Sequence, residues 1–246
     1  MDAFWDGEPV PASEISITSE PSFSFPSRVS VLDATLDWPK YSNRFRSLIP
    51  DHEIHKVMNH EYPDDPDIVV ISGSTSGIYE DEEWIDELVE RTRDYIEDGV
   101  PVLGLCFGHQ VIAKAMGAEV VQMDRYEIGY RPVRFGDDEI FSGLTSVEYP
   151  FNTHQDEVVD MPEELVPIAE TDVSVQGLKH REKPVYGVQF HPELTPEIAR
   201  KAIRTKDIEE DRKEKLLEEV NEANFHRAKR ALRIVGNFAE ISRDHV

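Results

Sequence analysis

The stretch Val100-Pro101-Val102-Leu103-Gly104-Leu105-Cys106-Phe107-Gly108-His109-Gln110 decides the fold. Its apolar run predicts a buried strand ending at Leu105, and residues 108–116 (GHQVIAKAM) predict a helix directly after it. Cys106 falls on the turn between them, with Gly104 and Gly108 on either side. This G-x-C-x-G arrangement is the strand-turn-helix elbow that presents a nucleophile, with cysteine where many hydrolases carry serine. A sharp turn leaves no room for side chains beside the nucleophile, which explains the glycines. The sulfur also lies at a helix N-terminus, where the dipole and free N–H groups favour the thiolate. An isolated cysteine is commonly just a small buried hydrophobe. The glycine bracket after a strand separates this one from that class.

A partner lies further along the chain. Residues 185–190 (VYGVQF) predict another strand, and His191-Pro192-Glu193 follows at its end. Proline pushes the preceding residue, His191, into an extended conformation. In an extended chain residues i and i+2 share a side, so Glu193 can accept a hydrogen bond from the His191 ring. That bond fixes the tautomer and leaves the other ring nitrogen for the thiol. Cys106 and His191 both sit at strand C-termini, where open α/β sheets build their sites.

GLCFGHQ (104–110) followed by GVQFHPE (187–193) resembles the class I glutamine amidotransferases. A third element fits. Ile68-Val69-Val70-Ile71-Ser72-Gly73-Ser74 reads as a strand running into a glycine-containing loop, similar to the SGGP loop that supplies one oxyanion-hole N–H in that family. The resemblance extends from about Arg28 to Phe190 and over the final helix. It is nearest to stand-alone GMP-synthase-like members in residues 78–84 (IYEDEEW), Glu127-Ile128-Gly129 and Thr153-His154-Gln155-Asp156. Two positions depart from the family pattern. Ser74 and Thr75 stand where Gly-Pro is usual, and Gln155 where glycine is common.

The resemblance implies an α/β fold with an open, mostly parallel sheet flanked by helices, an antiparallel extension, and a flavodoxin-like layout. It implies Cys106 as nucleophile, His191 as general acid and base, and Glu193 as its orienting carboxylate. The N–H groups of Phe107 and Ser74 would form the oxyanion hole. Gly73, Gln110, His154, Gln155 and Asp156 would contact the glutamine, with no metal and no cofactor. Ammonia would pass to a separate synthetase. Two alternatives stay open: a free-standing γ-glutamyl hydrolase with the same triad, and a catalytically idle regulatory or binding module.

The 246 residues suffice for one large α/β domain. A single cysteine excludes a disulfide framework and a multi-cysteine zinc site, and suits a reducing cytoplasm. No apolar run is long enough for a membrane span, and the first residues lack the basic and apolar regions of a secretory signal. Fifty Asp and Glu against 26 Lys and Arg leave a formal net charge of −24, so no basic footprint for nucleic acid exists. The acid is spread along the whole chain, which favours adaptation to high salt over a local docking face for a basic partner.

Along the chain, residues 1–27 read as an N-terminal extension and 28–246 as one amidotransferase-like domain. Strands are expected at 28–32, 52–57 and 68–71. A helix is expected from Trp38 or Pro39 to Leu48, capped by Asp37, and another over 82–98 with Gly99 as its C′ residue. His52, His55 and His60 lack the helical i, i+4 spacing of a metalloprotease pair. Short strands are expected at 119–122, 131–134, 146–151, 166–169 and 174–178, with 153–156 as a substrate loop. Thr195 should cap a helix over 196–204, followed by a charged, exposed helical insertion at 207–224. Phe225, Ala228, Leu232, Val235 and Phe238 recur at helical spacing and predict one last packed helix.

Overall fold

The computed structural model describes residues 21–35 and 39–246. The expected Asp37 cap and most of the N-terminal extension lie outside these residues. In chain order the elements are β1 (Val29–Asp33), α1 (Pro39–Leu48), β2 (His52–Lys56), β3 (Ile68–Ile71), α2 (Glu83–Glu97), β4 (Val102–Leu105) and α3 (Phe107–Ala115). Then come β5 (Glu119–Tyr130), β6 (Val133–Phe135), β7 (Val147–Glu148), β8 (Phe151–Val159), β9 (Leu165–Glu170), β10 (Val175–His180) and β11 (Val185–Val188). Four helices finish the chain: α4 (Pro196–Thr205), α5 (Glu210–Glu219), α6 (Glu222–Ala228) and α7 (Arg233–Ile241).

Nine strands form one sheet in the order β2-β1-β3-β4-β11-β10-β9-β6-β7. The first five run parallel, and β10, β9, β6 and β7 extend the sheet antiparallel. This is the expected α/β architecture. Every residue of β1, β3, β4 and β11 is buried, because helices cover both faces of the parallel half. One apolar cluster packs α1, α4 and α7 onto one face, and a second packs α2 and α3 onto the other. Residues at the end of the N-terminal extension join the first cluster, where the Phe25 ring meets that of Phe238 edge-on.

Local signals act as expected at several helix ends. The Thr195 hydroxyl accepts from the Ile198 N–H and Pro196 takes the first turn of α4. Gly99, at φ 80°, ends α2.

Three expectations need correction. The stretch taken as a short strand at 119–122 continues to Tyr130, and residues 153–156 are strand rather than loop. β5 and β8 form a separate two-stranded ribbon, with Gln122 paired to Asp156 and Glu127 to His154. Much of β5 is exposed, so its sequence shows no alternation of apolar and polar residues, and the ladder itself holds it. Second, the charged segment 207–224 is not one exposed helix. Asn221 caps a new helix by accepting from the Asn224 N–H at 3.0 Å, so α5 and α6 separate there. Leu216 and Val220 are buried, and Arg131 pairs with Glu219 at 3.3 Å, which docks α5 beside β5. Third, the last expected helix is broken by a 3₁₀ turn over Lys229–Leu232, and Phe225 is only half-buried.

Candidate active site

Cys106 sits between β4 and α3 with φ 52° and ψ −100°, a backbone state that costs a non-glycine residue on the order of 1–3 kcal/mol. Its surroundings impose the state. Its N–H donates to the Val188 carbonyl at 2.8 Å, and its carbonyl accepts from the Gln110 N–H at 3.2 Å. A Cβ at Gly104 would overlap the Gly108 carbonyl, and one at Gly108 would lie 2.5 Å from the Ile71 carbonyl oxygen. The glycines therefore let the elbow close against β3. His109, next on α3, is fully buried, and burial pushes its pKa down to about 4, so it is a neutral core residue.

β11 runs parallel to β4 and delivers His191 beside the sulfur. The His191 ring hydrogen-bonds Cys106 on one side, and Nδ1 meets Glu193 Oε1 at 2.7 Å on the other. The i, i+2 geometry expected from the His-Pro-Glu segment is present. Burial works against a charged imidazole here. Cys106 and Glu193 outweigh it and raise the pKa from its ordinary 6.5 to about 10. Burial likewise opposes the Glu193 carboxylate, but His191 and Tyr41 hold its pKa below the usual range.

Two residues of α1 complete this side of the site, and the sequence reading missed both. The Tyr41 hydroxyl donates to Glu193 Oε1 and accepts from the Gly73 N–H at 3.3 Å. Arg44 Nε donates to the Glu193 carbonyl at 2.7 Å. Gly73 is wedged so tightly that a Cβ there would lie 2.9 Å from His191 and 3.1 Å from the Tyr41 hydroxyl. Tyr41 thus ties the carboxylate to the loop after β3. A tyrosine on an amphipathic helix carries no local sign of such a role. Gln189 was also missed, although it lies within the GVQFHPE stretch. Its Nε2 donates to the Cys106 sulfur at 3.5 Å, and its Oε1 accepts from Gln110 at 3.2 Å.

A cavity of about 200 Å³ opens in front of the sulfur. Ser74, Phe107, Gln110, His154, Gln155 and Asp156 all line it, so chain segments far apart in sequence meet here. Ser74 lies outside the left-handed region, and its Oγ accepts from the Ser76 N–H at 3.2 Å. His154 is buried with both ring nitrogens engaged. Nδ1 donates to the Asp156 carbonyl at 2.9 Å, and Nε2 faces Glu127 Oε2 at 3.3 Å. Glu127 is held in turn by Ser174 and Gln176, each at 3.0 Å. The Asp156 carboxylate accepts from the Tyr79 hydroxyl at 3.2 Å. Lys206, at the end of α4, lines the same cavity and belongs to none of the sequence motifs. Among the described residues no group of three or more His, Cys, Asp or Glu is placed to hold a metal ion, and no helix is long and apolar enough to cross a membrane.

The glutamine-hydrolysing GMP synthases of Vibrio parahaemolyticus and Vibrio vulnificus are each 37% identical over 133 residues, 53% of this chain and 25% of theirs. The match thus spans about a quarter of the length of those relatives. A solved protein of Thermoplasma acidophilum, named for one component of a multi-chain GMP synthase, superposes with a TM-score of 0.63 at 26% identity, covering 88% of this chain and 94% of its own. A Thermotoga maritima glutamine amidotransferase shares the fold, with a TM-score of 0.68 at 20% identity over 87% of this chain and 98% of its own. The family model for class-I glutamine amidotransferases matches residues 41–210, the span that holds Tyr41, the elbow, His191 and Lys206, and the chain belongs to that family.

Proposed function

We propose that this chain hydrolyses the side-chain amide of glutamine through a thioester on Cys106. The observation that carries the reading is the continuous chain of hydrogen bonds from the Cys106 sulfur through His191 to Glu193. The thiolate attacks the amide carbon and the C=O pair becomes an oxyanion, received by the N–H groups of Phe107 and Ser74. His191, as imidazolium, protonates the leaving nitrogen, the C–N bond breaks and ammonia departs. The neutral imidazole then takes a proton from water. The resulting hydroxide attacks the thioester, releasing glutamate and restoring the thiolate. Glu193 keeps His191 oriented and favours its charged form. Gly73 and Gln110 shape the floor of the glutamine site. His154, engaged at both ring nitrogens, holds the Gln155–Asp156 edge rather than acting as a second base.

The acceptor of the ammonia is a separate synthetase. The matched GMP synthases are far longer than the shared segment, and the Thermoplasma acidophilum relative is by name one GMP synthase component among others, which supports an acceptor on another chain. The test is ammonia release from glutamine by the purified chain across a salt series, alone and with a candidate synthetase, beside a panel of γ-glutamyl compounds. Turnover of glutamine alone supports the reading. Turnover of other γ-glutamyl compounds with glutamine excluded points to a free-standing hydrolase. Absence of both turnover and thioester under every condition overturns it in favour of an idle binding module.

A further inference from the structure

Lys206 is the only Lys or Arg among the described residues that line the Cys106 cavity. It ends α4 as its C-cap and lays its ammonium over the Tyr126 ring of β5, 5.0 Å from the centroid. It makes no hydrogen bond or ion pair with the described residues, although the charges of Cys106 and Asp156 are both close enough to be felt. Burial disfavours the ammonium and those two charges favour it, with a net fall below the ordinary lysine pKa. A partly buried ammonium whose donors are unmet is costly unless something anionic completes it. The rest of the cavity cannot supply a second cation, since Glu80 and Asp156 give it negative charge, and the chain as a whole carries a formal −24. An anionic group entering this field finds one favourable place.

We infer that Lys206 holds the free α-carboxylate of the substrate while Cys106 attacks the amide at its other end. This rests on the proposed amide hydrolysis and gives it a substrate class: free amino acids and γ-glutamyl compounds whose α-carboxyl group is unblocked. Asp156, across the cavity, takes the α-ammonium side of the same zwitterion. Glutamine inside a peptide, or with its carboxyl group amidated, leaves Lys206 without a partner and is rejected.

The test compares two electrophiles on the full chain: the chloromethyl ketone analogue of glutamine and its α-methyl ester. In both the thiolate forms a C–S bond as chloride leaves, so the ratio of the two labelling rates cancels thiol reactivity and reports the α-carboxyl contact. In the wild type the acid should label Cys106 roughly 10- to 100-fold more efficiently than the ester, the range for a hydrogen bond to a charged group. K206M should bring the ratio near unity, and K206R should keep part of it. A wild type with no preference for the acid, or a K206M variant that keeps the preference, overturns the assignment. Failure of the wild type to turn over glutamine bears on the hydrolytic reading alone, because the labelling ratio needs no turnover.

Discussion

The cavity has two walls of different construction. On the sheet wall, Cys106, His191 and Glu193 hang from the ends of β4 and β11, two neighbouring parallel strands in the centre of the sheet. Each polar group there has a partner fixed by the same sheet or by α1. On the ribbon wall, His154, Gln155 and Asp156 ride on β8, which pairs only with the half-exposed β5. That ribbon reaches the sheet wall through one backbone bond, from the His191 N–H to the Phe151 carbonyl at 2.8 Å, together with the buried Glu127–His154–Gln176 group. A rigid wall suits groups that move protons and electrons, where small misplacements are expensive. A surface ribbon suits groups that select a ligand, because it can adjust to what enters. The two walls should therefore fail in different kinetic constants.

The largest effects belong to the sheet wall. Cys106→Ala should abolish thioester formation, and His191→Ala should cost nearly as much, because nucleophile and base act as a unit. Glu193→Gln should lower kcat by roughly 10²–10⁴-fold while KM stays close to wild type. Mass spectrometry of the Cys106 adduct and steady-state ammonia release report both. Glutamine turnover by purified Cys106→Ala protein at the wild-type rate would sink the assignment of the nucleophile.

Between the walls lies Ser74. Glycine there can turn its N–H towards an oxyanion through a positive φ, which serine resists by roughly 1–2 kcal/mol. Ser74 lies outside that region in this structure. If the active orientation needs it, Ser74→Gly should raise the basal kcat of the isolated chain by up to about 10²-fold, the usual worth of one oxyanion donor, with little change in KM. A fast wild type that the glycine does not improve would show a preformed hole and remove the case for activation by a partner.

A contrast of about tenfold sharpens the comparison further. Tyr41→Phe removes the hydrogen bond to Glu193 and should lower kcat roughly 5- to 10-fold without raising KM. Asp156→Asn, on the ribbon, should raise KM for glutamine by a similar factor and leave kcat nearly intact. If Tyr41→Phe moves KM and Asp156→Asn moves kcat, the division between the walls is wrong.

The pH dependence of the sheet wall follows from His191. Its folded pKa, about 10, lies above the ordinary 6.5. The folded chain therefore binds this proton more tightly than the unfolded chain. Its stabilising contribution is complete below about pH 6.5 and fades as pH rises towards 10. NMR of the imidazole should show His191 still protonated at pH 8, and Glu193→Gln should move its titration downward. A wild-type ring that titrates near pH 6.5 contradicts the charged pair.

The smallest effect is on the ribbon wall and is one of charge. With a formal −24, the unfolding midpoint should rise by several degrees between dilute buffer and molar potassium chloride, where the screening length shrinks to roughly 3 Å. Amide exchange should slow most in β5 and β8 and least in β4 and α3, whose residues are almost all buried. A midpoint that is flat or falls with salt favours a localised acidic docking face.

The elbow, the His-Pro-Glu pair and the parallel half of the sheet were legible in the sequence because each rests on local rules. A buried parallel strand must be apolar throughout, a tight turn must be cleared of side chains, and i, i+2 residues share a side when extended. Those rules placed Cys106, His191 and Glu193 before any coordinates. Tertiary structure alone decided that Tyr41 on α1 spans Glu193 and Gly73, that residues 119–130 and 151–159 pair as a ribbon over the sulfur, and that Lys206 closes the cavity. These residues leave no periodic or motif signal, since their partners lie far along the chain and their backbones obey no special local constraint. What places them is the docking of α1 and α4 on one sheet face and the long-range ladder between β5 and β8, contacts that exist only once the chain has closed on itself.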